Sequence, residues 1–156
     1  MPKHSAGLLP FRERAAQLEV FLVHPGGPYW ANKDDGAWTI AKGEIMDGED
    51  PLLAARREFE EETGFAPEGE PIALQPVQQA GGKIVHAWAV RAELDARAVR
   101  STTFTMEWPP RSGRVAVFPE VDRAAWFTLA VARRKILEGQ LGFLDELEGK
   151  RGAWPA

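Results

Sequence analysis

Length, composition and charge narrow the possibilities for this chain. Its 156 residues suit a single domain, and 44% hydrophobic with 27% charged residues is the composition of a folded, soluble protein rather than a disordered one. The formal net charge of −4 argues against a dedicated nucleic-acid surface, which would be strongly basic. The absence of cysteine excludes disulfides and thiolate zinc sites.

The sequence shows no targeting or membrane segment. Its first residues contain no apolar stretch typical of a signal peptide, and no run approaches the roughly 18 apolar residues of a membrane helix. We therefore expect a cytoplasmic protein with no membrane partner. We further expect one domain over residues 1–156, a loose tail over residues 149–156, and a monomer or a homodimer.

The first part of the chain predicts two strands and a loop. Apolar segments typical of strands cover residues 4–11 and 18–24. The loop follows over residues 25–36, a stretch rich in Gly, Pro, Asn and Asp. In the loop, Tyr29 and Trp30 either stack on a base or fold back over the core. Lys33 either reaches a phosphate or is solvated.

Two other patterns resemble binding motifs but lack their spacing. His4 and His24 have no metal-ligand spacing to each other or to His86, so we interpret them as surface or strand-end residues. A Gly-Gly-Lys sequence further along is not a phosphate-binding loop, because Val77 stands where that motif needs its first glycine.

The most informative stretch is residues 43–65, which predicts a loop followed by one helix. Asp50 and Pro51 are typical of a helix cap and of the first helical position, and Gly64 is typical of a helix end. Apolar residues at three- and four-residue spacing predict one buried face. A strand over residues 38–42 leads directly into this segment.

Three carboxylates gather on a second face of this helix. At about 100° per residue, Glu58, Glu61 and Glu62 share one patch, while Glu60 points away. Because like charges at these spacings repel, the arrangement favours divalent cations between the carboxylates. Arg57 stands four residues before Glu61 and can hold that carboxylate in place. The alternative is an ordinary solvated face of charged residues.

The spacing of the whole segment favours the functional interpretation. The chain resembles the Nudix hydrolase family, whose defining box it matches in full at the positions Gly43, Glu49, Arg57, Glu58, Glu61, Glu62 and Gly64, with apolar residues where the box requires them. At typical residue usage, a chance match in a chain of this length is expected less than about once in a million.

This resemblance implies a reaction and the residues that perform it. In Nudix hydrolases, box carboxylates hold Mg²⁺ or Mn²⁺ for the hydrolysis of a pyrophosphate bond. We therefore expect Glu58, Glu61 and Glu62 to be metal ligands, one of them also orienting the attacking water. Arg57 is expected to be their electrostatic brace.

The residues that flank the box carry further expectations from the resemblance. The carbonyl of Lys42, beside Gly43, is expected to be a metal ligand, and Glu49 an outer or water-mediated one. Many members that cleave dinucleoside polyphosphates have Pro-Lys-Gly at this point, whereas Ala41 replaces the proline here. Lys83 is expected to bind substrate phosphates, as similar lysines do in the family. Lys33 and Lys42 are expected to bind phosphates together with it.

The second half of the chain predicts short strands and two helices. The strands are expected over residues 72–79, 81–92, 102–108, 115–118 and 125–127. The helices are expected after a Thr128 cap, to residue 137, and over residues 141–147. Glu107 and Glu120 are candidates for an extra carboxylate from outside the box, the alternative being surface glutamates, and Trp108 is a third base-stacking candidate.

These elements predict an α+β fold, a mixed β-sheet flanked by the box helix and a C-terminal helix, as in the Nudix α/β/α sandwich. We expect a small nucleotide substrate, either a dinucleoside polyphosphate or a nucleoside triphosphate. ADP-ribose or a related nucleoside diphosphate is the alternative, and a nucleotide-binding Nudix module without catalysis is the rival from another class. Nucleic acid is not an expected partner, because the net charge is negative.

Overall fold

A mixed β-sheet lies at the centre of this structure, which is a computed structural model describing residues 2–151. The strands are β1 (His4–Arg14), β2 (Gln17–Pro25), β3 (Ala41–Glu44), β4 (Ile72–Ala73), β5 (Val77–Gln78), β6 (Ile84–Arg91), β7 (Thr103–Glu107), β8 (Val115–Pro119) and β9 (Val121–Thr128). The order across the sheet is β4-β6-β1-β2-β9, with β3 paired to β1 and β5 paired to β6. Only the β1–β6 pair is parallel among these pairings.

Helices cover both faces of the sheet. Helix α1 (Pro51–Thr63) packs on one face, and α2 (Leu129–Lys135) and α3 (Leu141–Gly149) pack on the other. Successive side chains of β2 alternate between the two cores: Leu22 joins the α2–α3 side, whereas Val23 joins the α1 side. The predicted α/β/α sandwich of α+β class is confirmed.

Helix α1 begins and ends where its sequence predicts. The Asp50 side chain accepts a hydrogen bond from the Leu53 amide at 3.1 Å, and Pro51 occupies the first turn. Gly64 ends the helix with φ of 83°, a left-handed conformation that glycine adopts without strain. The cap therefore fixes where the box carboxylates lie along the helix axis.

Several predicted boundaries were wrong, and competing hydrogen bonds explain them. The strand expected at residues 38–42 begins only at Ala41, because the Ile40 amide donates to the Gln140 side chain. The strand expected at 72–79 is interrupted at Pro76, which has no N–H to donate. The second helix ends before Leu137, whose amide donates to the Trp38 carbonyl.

Three other expectations also need adjustment. Strand β6 starts at Ile84 rather than at residue 81, because Gly81 and Gly82 turn with φ of 89° and 91°. Strand β9 begins at Val121 rather than at residue 125, since it pairs with β2 over its length. Thr128 occupies the cap position of α2, but its side chain makes no capping hydrogen bond.

Strands β7 and β8 form a hairpin separate from the main sheet. It packs on the loop of residues 26–37, where the Phe104 Cζ atom lies 2.9 Å from the position that a Cβ on Gly27 would take. The Tyr29 and Trp108 rings also meet edge to face at 5.3 Å. The hairpin and the loop therefore pack against each other.

At the C-terminus, Gly149 is the last residue of α3, and Arg151 pairs with Glu13 at 3.0 Å. The remainder of the predicted tail, residues 152–156, lies outside the described residues. Within residues 2–151, no helix combines the length and the apolar character needed to cross a membrane.

Candidate active site

Strand β3 and helix α1 meet at Gly43, and this contact forms the floor of the candidate site. The Glu58 carboxyl carbon lies 2.0 Å from where a Cβ on Gly43 would be, so the carboxylate rests directly on the strand backbone. Any larger residue at this position would displace the Glu58 side chain. The box glycine is therefore required by the close approach of helix and strand.

Arg57 connects the carboxylates at the first end of the site. Its guanidinium donates two hydrogen bonds to Glu49, at 2.8 and 3.0 Å, and one to Glu58 at 2.8 Å. The contacts to Glu61 are longer, at 3.4 Å, and a further bond reaches the Glu44 carbonyl at 3.2 Å. The predicted brace thus acts mainly on Glu49 and Glu58 rather than on Glu61.

The charges at this end compensate one another. The hydrogen bonds from Arg57 hold the pKa of Glu49 below its usual value, and the same bonds raise the pKa of Arg57 itself. Burial raises the pKa of Glu58, although Arg57 acts in the opposite direction. Bidentate pairing of this kind also fixes geometry, because both partners lose their freedom to rotate.

Lys42 and Glu62 occupy the other end of the site, where burial dominates. The Lys42 amide donates to Glu62 Oε2 at 3.1 Å. Burial, followed by repulsion from Glu58, raises the pKa of Glu62 to about 8. Burial also lowers the pKa of the Lys42 ammonium, and the nearby Lys83 charge lowers it further. This end therefore holds half-buried charged groups whose pKa values are shifted mainly by loss of solvent.

These residues line a polar cleft with two adjoining parts. The carboxylate part, of about 350 Å³, is bounded by Lys42, Gly43, Glu44, Glu58, Glu61, Glu62, Thr102 and Glu120. The lysine part, of about 340 Å³, shares Lys42 and Glu62 and adds Lys3, Ser5 and Lys83. Carboxylates suited to cations and lysines suited to phosphates therefore face the same space.

A less polar cleft of about 230 Å³ extends from the same end of the site. It shares Lys42, Glu62 and Glu120 with the polar cleft and continues to Trp30, Leu137 and Val23. Trp30 and the carboxylates thus line one continuous groove. An aromatic wall next to a phosphate-sized polar cleft is suited to a nucleoside with phosphates attached.

The donor set of the polar cleft fits Mg²⁺. Within residues 2–151, no three or more Asp, Glu or His side chains are arranged to hold a metal ion. Mg²⁺ does not require such a cage, because it usually keeps several waters and binds one or two carboxylates together with substrate phosphates. Glu58, Glu61 and Glu62 line this cleft and would supply the carboxylates.

Other predicted site residues lie away from the cleft lining or at its edge. Glu107 accepts hydrogen bonds from the amides of Arg111 and Gly113, at 3.0 and 3.1 Å, and so closes its own hairpin loop. The ammonium of Lys33 lies over the Trp30 ring, 5.0 Å from its centre. Tyr29 contacts Trp108 instead of the groove. Of the two extra carboxylate candidates, only Glu120 lines the cleft described above.

Sequence reasoning missed Lys3, Ser5 and Thr102. Lys3 and Ser5 reach the cleft because β1 pairs with β3 and places Ser5 opposite Glu44. Thr102 reaches it because its amide donates to the Glu61 carbonyl at 2.8 Å. No local motif marks these residues, since only strand pairing and the helix end bring them to the site.

Solved structures of known proteins share this fold. An Ap4A hydrolase binary complex from C. elegans is 22% identical with a TM-score of 0.67, covering 96% of this chain and 99% of that one. The NUDIX domain of Shewanella oneidensis NrtR complexed with ADP ribose is 17% identical with a TM-score of 0.66, covering 96% and 88%. A MutT protein from Methanosarcina mazei Go1 is 18% identical with a TM-score of 0.63, covering 97% and 96%.

At these identities the structural matches show the fold alone. A comparison with curated protein sequences gives no match. The family is shown by a sequence model of the NUDIX domain, which matches residues 1–147. This match spans the box at Gly43–Phe65, the sheet, α1 and α2, and it extends into α3. The chain therefore belongs to the Nudix family.

Proposed function

We propose that this protein hydrolyses a pyrophosphate bond of a nucleoside polyphosphate and that the reaction depends on Mg²⁺ or Mn²⁺. One observation carries the proposal: a single groove joins the box carboxylates, the cleft lysines and the Trp30 ring. A substrate that has a base at one end and linked phosphates at the other matches this order of surfaces.

The lysines of the polar cleft bind the phosphate chain in this proposal. Lys3, Lys42 and Lys83 line one space, and each charge-assisted contact to a phosphate contributes about 1.5 to 3 kcal/mol. Substrate phosphates would also supply negative charge that opposes the effect of burial on the pKa of Lys42. The net charge of −4 is compatible with this because the positive charge is local.

The carboxylates hold the cation and prepare the attack. Glu58, Glu61 and Glu62 would be its protein ligands, with the Lys42 carbonyl as a further oxygen and Glu120 as the additional carboxylate. When bound, Mg²⁺ supplies charge neutralisation on the phosphoryl oxygens and acidifies water. One of the three box glutamates orients the attacking water and accepts its proton. Arg57 keeps Glu58 and Glu49 in place through the bonds described above.

We favour a dinucleoside polyphosphate or a nucleoside triphosphate as substrate. The lysine part of the cleft supports this choice, because it lies beside the carboxylate part and offers room for additional phosphates. The structural similarity to an Ap4A hydrolase points to the same class. ADP-ribose is the second candidate, because the similar NrtR domain was solved with ADP ribose. A module that binds nucleotides without cleaving them is disfavoured, since every box carboxylate is present.

A substrate panel with product identification tests the proposal. Purified protein is incubated with Mg²⁺ and a diadenosine polyphosphate, a nucleoside triphosphate, ADP-ribose, a diphosphoinositol phosphate or an isoprenoid diphosphate, and the products are separated. Cleavage of a nucleoside polyphosphate with turnover that disappears on chelation is the expected result. Preference for a non-nucleotide diphosphate over every nucleotide would contradict the proposal, as would binding without turnover.

A further inference from the structure

His24 occupies a position that the proposed reaction does not yet explain. Its side chain is 0% exposed, near the end of β2. Nδ1 lies 2.8 Å from Asp122 Oδ1, and Nε2 lies 2.6 Å from the Lys33 carbonyl oxygen. Each ring nitrogen therefore lies within hydrogen-bond distance of an oxygen atom, one on the loop and one on β9. The Trp38 ring covers one side, edge to face at 5.2 Å.

The two hydrogen bonds of His24 join the loop of residues 26–37 to the start of β9. Lys33 belongs to the loop, and Asp122 is the second residue of β9, next to the segment that carries Glu120. The Gly26 amide donates to the Glu120 carbonyl at 2.9 Å, which ties the loop to that segment a second time. His24 is therefore a buried connection between two walls of the groove.

Within the loop, Lys33 is in direct contact with Trp30. The Lys33 amide donates to the Trp30 carbonyl at 3.0 Å, and the Lys33 ammonium lies over the Trp30 ring. On its other side, the loop is anchored by Asp34, which pairs with Lys135 at 2.6 Å and accepts from the Trp38 indole at 2.8 Å. A continuous series of contacts thus runs from Asp122 through His24 and Lys33 to Trp30.

We propose that His24, paired with Asp122, is a positioning residue for nucleotide binding: it fixes the Lys33 carbonyl and through it the place of the Trp30 ring in the groove. This inference rests on the proposed function, in which Trp30 contacts the base. His24 does not touch the reacting phosphates, so its role concerns affinity for the nucleoside rather than the chemical step. A fully buried side chain with one partner on the loop and one on β9 is suited to this role, because it fixes the loop relative to the strand.

Steady-state kinetics on matched variants test the proposal. His24→Gln should raise KM for the nucleotide substrate about tenfold, as expected from the loss of a hydrogen bond to a charged group, with kcat within about twofold of wild type. Asp122→Asn, whose side chain is 32% exposed in the wild type, should raise KM about threefold, because only the charge is removed. Asp145→Asn makes the same change in an ion pair with Arg133 on the far helices and should leave both constants unchanged.

The Trp30→Ala background separates positioning from a general structural effect. If His24 acts through Trp30, Asp122→Asn should no longer raise KM once the ring has been removed, because residues in one series of contacts are not additive. A KM increase of the same size in both backgrounds would overturn the proposal. A fall in kcat with unchanged KM would also overturn it.

Hydrogen exchange of the loop gives a readout that needs no substrate. The Lys33 amide, protected by the Trp30 carbonyl, should exchange at least about fivefold faster in His24→Gln or Asp122→Asn, and at the wild-type rate in Asp145→Asn. Unchanged exchange in Asp122→Asn would contradict the positioning role even if His24→Gln fails to fold. If exchange changes as expected but no nucleotide is cleaved, the proposed substrate is wrong and the positioning of Trp30 stands.

Discussion

The pKa values of charged groups are shifted for opposite reasons at the two ends of the site. At the Arg57 end, Glu49 receives two hydrogen bonds from the guanidinium and its pKa falls. At the Lys42 end, burial outweighs the partners: the pKa of Glu62 rises to about 8 and that of Lys42 falls. The first end is a network of hydrogen bonds that supports the site, whereas the second brings carboxylates and lysines to one cleft and is where we expect cation and phosphate to bind.

Removal of a carboxylate at the Lys42 end should have the largest effect. We expect Glu62→Gln to lower kcat by more than about a hundredfold at saturating Mg²⁺, because even outer partners of metal ligands are worth 10- to 100-fold. Glu61→Gln should behave similarly. The metal-free fold should survive, since a repelling charge has been removed. Glu60 is exposed on the same helix, so Glu60→Gln is the control and should retain the wild-type rate. A wild-type rate in Glu62→Gln would show that Glu62 is not a metal ligand.

A methyl group at the helix–strand contact should have the next largest effect. In Gly43→Ala the new Cβ would lie 2.0 Å from the Glu58 carboxyl carbon, so that carboxylate must move. Displacement by about 1 Å can cost about a hundredfold in rate, and we expect a fall in kcat of that order. Gly149→Ala, where no atom lies within 4 Å of the added Cβ, should leave kcat unchanged. Equal rates in both variants would show that Glu58 has no fixed place in the reaction.

Replacement of Arg57 should disturb only the carboxylates at the Arg57 end of the site. Arg57→Ala leaves Glu49 and Glu58 without their main partner, and we expect kcat to fall at least about tenfold while KM changes little. Arg57→Lys should recover only part of the rate, because an ammonium cannot make the bidentate contact with Glu49. A raised KM with unchanged kcat would indicate instead that Arg57 contacts the substrate directly.

The stability of the metal-free protein should also depend on pH. The folded pKa of Glu62, about 8, lies above its ordinary value of 4.5. Between these values the folded state holds a proton that the unfolded state has lost, so stability falls as pH rises from about 4.5 to 8. Denaturant unfolding at pH 5.5 and pH 8 measures it. Glu62→Gln should weaken this dependence; the same pH dependence in both proteins would contradict the assigned pKa.

The sequence predicted the box helix well because each of its signals is local. Asp50 and Gly64 cap it at the predicted ends, and the helical period placed Glu58, Glu61 and Glu62 on one face. The layer order followed from the resemblance and is confirmed by the family match. The strand ends were less predictable, since Ile40 pairs with a Gln140 side chain that lies far away in the chain.

The walls of the groove could not be predicted from local patterns. Lys3 reaches the site through strand pairing, and Glu107, a candidate as plausible as Glu120 in sequence, is used by its own hairpin loop. His24 was interpreted as a surface or strand-end residue; it does lie at the end of β2 but is fully buried. Its two partners come from a loop and from β9, and neither has a sequence signal that links it to a histidine.

Thermal unfolding at pH 8 with and without Mg²⁺ tests most directly whether Glu62, at the Lys42 end of the site, binds the cation. Ligand binding to the folded state adds about 1.4 kcal/mol at ten times Kd, so the unfolding midpoint of wild type should rise with Mg²⁺. We predict that Glu62→Gln loses most of this rise, whereas Glu60→Gln keeps it. An equal rise in all three proteins would place the cation elsewhere and contradict the account.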